Sequence, residues 1–438
     1  MRLHPALLLA LTAATVVHAG EEAQEDWQLK GQATYVSQKS RAFPAAYGAM
    51  NSLNASGESS YTFTSTAYLG ARLWQGAEVY LNVEAGQGDP ISGLTGLGGF
   101  TNGEATRVSG NGIKAYRQRL FLRQTWGLSQ ETEYQESDFN QMAGRVAKDR
   151  VVLTVGNFST LDIFDDNAYA KDPRTQFMNW SNMAHTAYDY AADARGFGWG
   201  FAAEWYQGDW VLRFGRMTGP KTPNGQDVDF RILRHYGDQI EIEHSHQLAN
   251  RPGKVRLLAF RNRAHLASYT DASAWLAANP GADPQAINYV REGERIKYGF
   301  GINLEQEIAN ELGWFLRAMH ADGRSETYAF TEADGSFATG LQLKGGRWNR
   351  PDDTIGLAWM RNTISSERRD YLAQGGISYF IGDGKLGYSP EHIFETYYSW
   401  KALPGLWLTA DYQHIENPAY NADRGPANIY SLRLHAEF

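Results

Sequence analysis

The chain contains no cysteine, and beyond its first 20 residues it has no apolar run long enough for a membrane helix. The absence of cysteine excludes a disulfide framework. A membrane helix needs about 20 consecutive apolar residues, so any membrane insertion here must use strands. The net charge of -8 argues against nucleic acid as a partner. The mean hydropathy of -0.49 is compatible with a membrane barrel, because lipid-facing and lumen-facing residues alternate and cancel in such an average.

The N-terminus has the pattern of a secretory signal peptide. Arg2 precedes a short apolar run, and that run ends in Val17-His18-Ala19, a small-residue cleavage pattern. An uncleaved anchor helix would need a longer apolar run. We therefore expect residues 1–19 to be removed and residues 20–438 to form a single domain.

The C-terminus alternates strictly between apolar and polar residues and ends on Phe438. This strand resembles the recognition signal that the assembly machinery of outer-membrane barrels reads. The alternative is an edge strand of a soluble sheet, which would be an aggregation hazard in water, whereas a closed barrel has no edge. The apolar residues of the strand are Tyr430, Leu432, Leu434, Ala436 and Phe438.

The same period-2 pattern recurs along the whole chain, in runs of about ten residues, the length that a tilted membrane strand requires. The pattern predicts an all-β fold, a transmembrane antiparallel β-barrel in contact with membrane lipid. Bacterial barrels of one chain have even strand numbers. We expect 16 strands, with 18 as the alternative, because the segments near Phe230 and Ile377 are ambiguous.

Glycine-containing segments predict the connections between these strands. Residues 75–76 and 207–209 are typical of tight turns, and residues 382–384 have similar turn chemistry. Short helices are predicted over residues 272–278 and 137–142. Longer segments are expected to form extracellular or infolded loops, and these are residues 86–114, 157–195, 219–229 and 268–295.

Arginines mark the expected lumen wall. If the apolar residues between Leu120 and Trp126 face lipid, three arginines of the same segment point inward, since arginine near the bilayer midplane costs several kcal/mol. Guanidinium groups suit vicinal sugar hydroxyls as well as carboxylates. Alternatively, they only neutralise acidic residues of the lumen. The candidate pore-lining or substrate-contacting residues are Arg117, Arg119, Arg123, Glu84, Glu204 and Arg213.

Enzyme and metal signatures are weak. Asp162, Asp165 and Asp166 place oxygen ligands close together, as Ca²⁺ prefers, but they lack the spacing of an EF-hand loop, and turn or cap roles fit them better. His244 and His246 share a strand face. The sequence contains no Gly-x-Ser-x-Gly motif, no zinc-binding histidine pair at helical spacing and no phosphate loop. We therefore expect no enzymatic activity, no cofactor and no metal.

Several long segments resemble the carbohydrate-selective porin family (OprB-type). They are TVGNFSTLDIFDDNAYAKDPRTQFMNW (residues 154–180), YDYAADARG (188–196), GFAAEWY (200–206) and DYQHIENPAYNADRGP (411–426). The resemblance extends from about Arg117 to the C-terminus. Near the mature N-terminus, where family members often carry a Gly-Asp/Glu-Trp-Gly-Gly-like element, this chain has WQLKGQ (27–32).

The resemblance implies a 16-stranded barrel in the outer membrane of a Gram-negative bacterium that admits small sugars by passive diffusion, with arginines and acidic residues narrowing the channel. One alternative is an exporter of an anionic exopolysaccharide through an arginine-rich lumen. Another is an outer-membrane hydrolase, which would need a nucleophile and a base within hydrogen-bond reach. A homotrimer is one expected assembly, since many porins form one.

Overall fold

The computed structural model describes residues 24–108 and 110–438, so the expected signal peptide lies outside the described residues. The strands are β1 (Trp27–Ser40), β2 (Glu58–Trp74), β3 (Ala77–Asp89), β4 (Gly110–Gly127), β5 (Thr132–Gln135), β6 (Gly144–Ala147), β7 (Arg150–Phe158), β8 (Gly198–Gln207), β9 (Trp210–Met217), β10 (Tyr236–Leu248), β11 (Arg251–His265), β12 (Glu294–Ala309), β13 (Leu312–Ala321), β14 (Gly335–Gly345), β15 (Arg350–Thr363), β16 (Glu391–Leu403), β17 (Leu406–Glu416) and β18 (Ala427–Glu437).

Helices occur only between strands in this part of the chain. The α-helices are α1 (Trp180–Met183), α2 (Tyr269–Ala278) and α3 (Ser366–Ala373). Short 3-10 helices span Ile91–Leu94, Ala105–Arg107, Thr160–Asp162, Ala286–Asn288, Gly346–Trp348 and Pro418–Tyr420. None of the described helices is long and apolar enough to cross a membrane.

Sixteen strands form one closed antiparallel barrel, which confirms the preferred strand number. Neighbouring strands in the barrel are consecutive in the chain, except that β4 pairs with β7 and β1 pairs with β18 to close it. β5 and β6 pair only with each other, as a small hairpin between β4 and β7. The segments near Phe230 and Ile377 lie outside the strands, so the 18-stranded alternative is wrong.

Side chains alternate between the membrane and the lumen along the barrel strands. One outward row crosses five strands through the paired residues Trp205, Leu212, Ile242, Leu257 and Ile302. Every member of that row is apolar, as a lipid-facing band requires. The predicted period-2 runs coincide with barrel strands. The pattern did not predict β14.

Apart from the β4–β7 connection, which contains the β5–β6 hairpin, short and long connections alternate around the barrel, as in outer-membrane barrels with short periplasmic turns and longer extracellular loops. The predicted tight turns at Gly76 and Gly208 are present, and both glycines have positive φ. Residues 382–384 instead lie inside the long β15–β16 connection. The helix expected over 272–278 is part of α2, whereas residues 137–142 contain a bridge between Asp138 and Gln141 and no helix.

Barrel closure brings Phe438 against Gly31. The two residues exchange backbone hydrogen bonds of 2.6 and 3.0 Å, and a Cβ atom at Gly31 would overlap the Phe438 ring. Replacing Gly31 with alanine should therefore displace the ring and destabilise the barrel by about 1–3 kcal/mol, the usual cost of overpacking.

The temperature at which the folded barrel converts to the slower-migrating unfolded form on a gel would measure this loss. Gly48→Ala is the matched control, because no heavy atom lies within 4 Å of a Cβ built at Gly48. Equal conversion temperatures for the two variants would contradict the close contact at the seam.

Candidate functional site

The connection between β7 and β8, residues 159–197, folds into the barrel. It forms a hydrogen bond with an inward side chain on every strand from β10 to β18. The strand residues concerned are Glu241, Asn262, Asn303, Arg317, Ser336, Asn362, Glu395, Gln413 and Arg433. We call residues 159–197 the infolded loop.

Arg317 on β13 is the most extensively bonded of these contacts. Its guanidinium donates to Asp165 Oδ1 at 3.0 Å, to the Asp165 carbonyl at 2.9 Å, to the Ala170 carbonyl at 2.6 Å and to the Asn182 carbonyl at 2.9 Å. Its side chain is fully buried. These bonds fix the infolded loop against the β10–β18 side of the lumen.

A cavity of about 570 Å³ remains on the opposite side, between the infolded loop and a wall to which β2 and β4 contribute side chains. Its lining includes Arg107 from the β3–β4 connection and Asp138 from the β4–β7 connection. These connections lie at opposite ends of the barrel, so the cavity runs along the barrel axis. We call it the side cavity.

The charged lining of the side cavity is balanced. Basic and acidic side chains are equal in number, six of each. The basic ones are Arg107, Arg119, Arg123, Lys171, Arg174 and Arg195, and the acidic ones are Glu104, Asp138, Asp162, Asp165, Asp172 and Glu437. The lining thus offers both strong donors and strong acceptors without a large net field.

Two of the three candidate arginines on β4 line this cavity. Arg119 forms a bidentate pair with Asp162 of the infolded loop, with Nε–Oδ2 and Nη2–Oδ1 distances of 2.7 and 2.6 Å. Arg123 donates to the Asn140 carbonyl at 2.8 Å. Arg119 therefore holds the first residues of the infolded loop against β4.

Arg117 lies on the outer face instead of the lumen face that its spacing predicted. The β3–β4 pairing shifts register between Asn82 and Val83, so that Gln118 becomes an extra residue of β4. Beyond this bulge Arg117 pairs with Val83, whose side chain is 41% exposed on the outside. Its guanidinium lies 5.0 Å from the ring centroid of Trp199. A bulge reverses the inward and outward faces, and period-2 counting cannot anticipate it.

Glu84 lies buried behind the cavity wall, where it belongs to a network centred on Arg174 of the infolded loop. Arg174 donates to Glu84 Oε2 at 2.7 Å, to Glu104 Oε2 at 2.8 Å and to the Tyr68 hydroxyl at 3.0 Å. Gln118 also donates to Glu84, at 2.5 Å. Arg174 therefore ties the infolded loop to β2, β3 and the β3–β4 connection.

Glu204 and Arg213 pair with each other away from the side cavity. The Arg213 Nε lies 3.1 Å from Glu204 Oε2, and its Nη1 lies 2.8 Å from Glu241 and 2.9 Å from Glu243. Both residues face the lumen on β8 and β9, but the cavity lining does not include them. In this arrangement they neutralise one another, which matches the alternative that the sequence left open.

Asp162, Asp165 and Asp166 each have their own cation. Asp162 pairs with Arg119, Asp165 with Arg317, and Asp166 with Lys171 at 2.6 Å. Asp162 also completes a capping box with Ser159 at the 3-10 helix that begins the loop. These partners account for the three carboxylates without a metal ion.

Residues of the β3–β4 connection and the infolded loop supply most of the lining that the sequence did not single out, above all Glu104, Arg107 and Arg174. They lie in irregular segments, where hydrophobic periodicity carries no information. The sequence feature that could have indicated Arg174 is the family-like segment 154–180, because it contains this residue.

A closed barrel with an apolar outer band, a loop folded into its lumen and a polar passage beside that loop defines an outer-membrane channel of the porin class. A family model described as the carbohydrate-selective porin, OprB family matches residues 50–438. The chain belongs to this family, and it is a porin of the Gram-negative outer membrane that allows sugars to diffuse across it.

One solved structure supports the same fold. Pseudomonas putida OprB in its high-pH structure has a TM-score of 0.69 to this chain at 16% sequence identity, and the match covers 94% of each chain. The low-pH structure of that protein has a TM-score of 0.49 at 14% identity, covering 94% of this chain and 93% of that one. A comparison with curated protein sequences finds no match. Family and fold together indicate a channel rather than an enzyme.

Proposed function

We propose that small neutral sugars cross the membrane through the side cavity and that Arg119 and Arg123 contact them there. The balanced lining of six basic and six acidic side chains carries this proposal. Sugar hydroxyls donate and accept hydrogen bonds, so alternating guanidinium and carboxylate groups can replace the water that a sugar loses on entry. Passage needs no cofactor and no energy input.

The same balance disfavours export of an anionic polysaccharide. A polyanion would be attracted by a lumen with a large excess of positive charge. Here every basic side chain of the lining is matched in number by an acidic one. We also expect the purified protein to hydrolyse neither lipids nor peptides.

Liposome swelling with a size series of neutral sugars tests the route, using Arg123→Gln against Arg117→Gln. Arg123 lines the side cavity, whereas Arg117 faces outward six residues earlier on the same strand. Arg123→Gln should change the initial rate of disaccharide uptake by about tenfold, since a hydrogen bond to a charged group contributes at least about 1.5 kcal/mol and every 1.4 kcal/mol is a factor of about ten. Arg117→Gln should match the parent protein.

Equal rates for Arg123→Gln and the parent would show that sugars take another path. Absent swelling with every sugar, together with strongly anion-selective conductance, would instead favour polysaccharide export. Single-channel recordings on the same preparations separate these outcomes from loss of insertion, because a protein that does not insert gives no current.

We also propose the remaining features expected from the sequence. Removal of residues 1–19 gives a single barrel domain, in accord with the closure of β1 on β18. Phe438 presents the terminal strand to the assembly machinery, the apolar outer rows contact lipid, and the chain forms homotrimers. N-terminal sequencing of the mature protein and its mass in detergent test the first and the last of these statements.

A further inference from the structure

Two histidines and a glutamate lie close together at the end of the barrel that carries the long loops, where three neighbouring strands begin or end. His235 directly precedes β10, His265 ends β11 and Glu294 begins β12. His265 and Glu294 are register partners. Both side chains point to the outside of the barrel, because side chains alternate along a strand and Ile296, two residues after Glu294, is exposed on the outer face. The three side chains therefore share one position at the rim of the barrel.

Their spacing is close to that of metal ligands. One ligand atom from each of the three residues lies within 4.8 Å of the other two. The His235 Nε2 to Glu294 Oε1 distance is 3.3 Å. Two ligands of a tetrahedral zinc ion are about 3.4 Å apart, given metal–nitrogen distances of about 2.0–2.1 Å. One edge of a zinc site is thus already formed, and only a small approach of His265 is needed.

The other nitrogen of each imidazole is already engaged. His235 Nδ1 lies 2.6 Å from Asp229 Oδ2, and His265 Nδ1 lies 2.9 Å from the Gly293 carbonyl. Donation from Nδ1 to these oxygens leaves Nε2 of both rings with a free lone pair. Metal-binding histidines almost always have such a carboxylate or carbonyl partner, which fixes the tautomer and the ring orientation.

Asp229 is built to remain an acceptor. It is buried in the β9–β10 connection. Arg231 donates to Asp229 through its backbone N–H at 3.0 Å and through Nε at 2.9 Å. These hydrogen bonds orient the Asp229 carboxylate towards Nδ1 of the His235 ring.

We propose that His235, His265 and Glu294 bind one divalent transition-metal ion of the zinc class at the outer rim. Two imidazoles and one carboxylate suit Zn²⁺, whereas Ca²⁺ and Mg²⁺ prefer an all-oxygen shell. Three protein ligands leave a fourth position for water. The ion links the β9–β10 connection to the ends of β11 and β12.

Neighbouring arginines oppose a dication but do not block it. Arg234 and Arg263 both contact the Glu294 carboxylate. A carboxylate has about four lone-pair sites. Arg263 donates to Oε2 through both Nε and Nη2, whereas Arg234 donates once to Oε1, so Oε1 keeps a site for the metal. Both guanidinium groups are more than a third exposed, and solvent and salt screen their charge. Arg234 competes directly for the oxygen nearest His235, so its removal should strengthen metal binding.

The full-length mature protein in detergent, stripped with a chelator, tests the site by calorimetric titration with ZnCl₂. The parent should bind one Zn²⁺ per chain. His265→Ala should weaken binding at least tenfold, and Arg234→Gln should strengthen it. The double variant His244→Ala/His246→Ala is the matched control, because that histidine pair at the other end of β10 has no third ligand in the described residues, and it should bind as the parent does.

Three results would overturn the proposal: no saturable binding, parent-like binding by His265→Ala, or loss of binding only in the double control variant. If His265→Ala fails to fold, as judged by its gel mobility, Glu294→Gln provides the same comparison. X-ray absorption of the loaded parent adds a direct check, since the spectrum must contain two imidazole ligands. CaCl₂ at equal concentration should not displace the zinc.

Discussion

Replacing Arg174 with alanine should make the channel cation-selective and raise its single-channel conductance. Arg174 holds two buried carboxylates, Glu84 at 2.7 Å and Glu104 at 2.8 Å. Removing one partner of a buried ion pair typically costs about 3–5 kcal/mol, because the remaining charge is left uncompensated. The free energy can be recovered only if cations or water enter the site, so the substitution should open the wall of the side cavity to both.

In Arg174→Ala, Glu84 and Glu104 would keep different binding partners. Glu104 retains its ion pair with Arg107 at 2.6 Å. Glu84 retains hydrogen bonds from Thr66 and Gln118 but loses its only ion-pair partner among the described residues. The lining would then contain one more acidic than basic side chain, with Glu84 as a further uncompensated charge behind it. Both changes favour cations.

Reversal potentials across a KCl gradient measure the selectivity, and swelling with tri- and tetrasaccharides measures the width. Arg174→Lys is the control, since it keeps the charge but not the fork of donors that reaches two carboxylates at once. It should fall between the parent and Arg174→Ala in both measurements. Unchanged reversal potentials in Arg174→Ala would show that permeating ions do not pass this part of the infolded loop.

The strands of this barrel could be predicted because each one has to satisfy lipid on one side and water on the other. That constraint imposes the period-2 pattern on fifteen of the sixteen barrel strands. β14 escaped because glycines fall on both of its faces, Gly335 in the outer row and Gly340 in the lumen row. Glycine lacks a side chain to report which face it occupies, so the pattern fades although the pairing with β13 and β15 is regular.

The site was only partly predictable, for two physical reasons. The bulge at Gln118 depends on pairing with β3, and no property of the β4 sequence alone reveals that Arg117 and Arg119 face opposite sides. The infolded loop takes its course from hydrogen bonds to side chains far away in sequence, such as Glu395 and Arg433. Arg119 and Arg123 were found because they lie on a regular strand, whereas Arg174 has no periodic context.

Replacing Arg317 with methionine should release the infolded loop from the opposite side of the lumen. The arginine donates four hydrogen bonds to this loop from a fully buried position. Methionine fills a similar volume, so the lost polar contacts dominate over any cavity. Asp165 keeps the Asn303 amide at 2.6 Å and the His185 ring at 3.5 Å, but it loses its arginine. We expect a destabilisation of about 3–5 kcal/mol.

Hydrogen exchange of residues 165–182 measures this release directly, because the amides of a loosened loop exchange faster. Arg361→Met on β15 is the control. Arg361 is exposed on the outer face, with no ion pair in the described part of the chain, so its replacement should leave exchange in the infolded loop unchanged. Parent-like exchange in Arg317→Met would mean that the remaining strand contacts alone hold the loop.

The two substitutions should differ in the current they produce, since they loosen the infolded loop from opposite sides. Without Arg174 the loop stays fixed to β10–β18, and the side cavity becomes a wider, steady passage. Without Arg317 the loop stays attached to the cavity wall through Arg119 and Arg174, while its far side moves. Motion of a segment that borders the passage interrupts the current, so Arg317→Met should add brief closures without altering ion selectivity. Steady currents in both variants would show that the infolded loop does not border the conducting path.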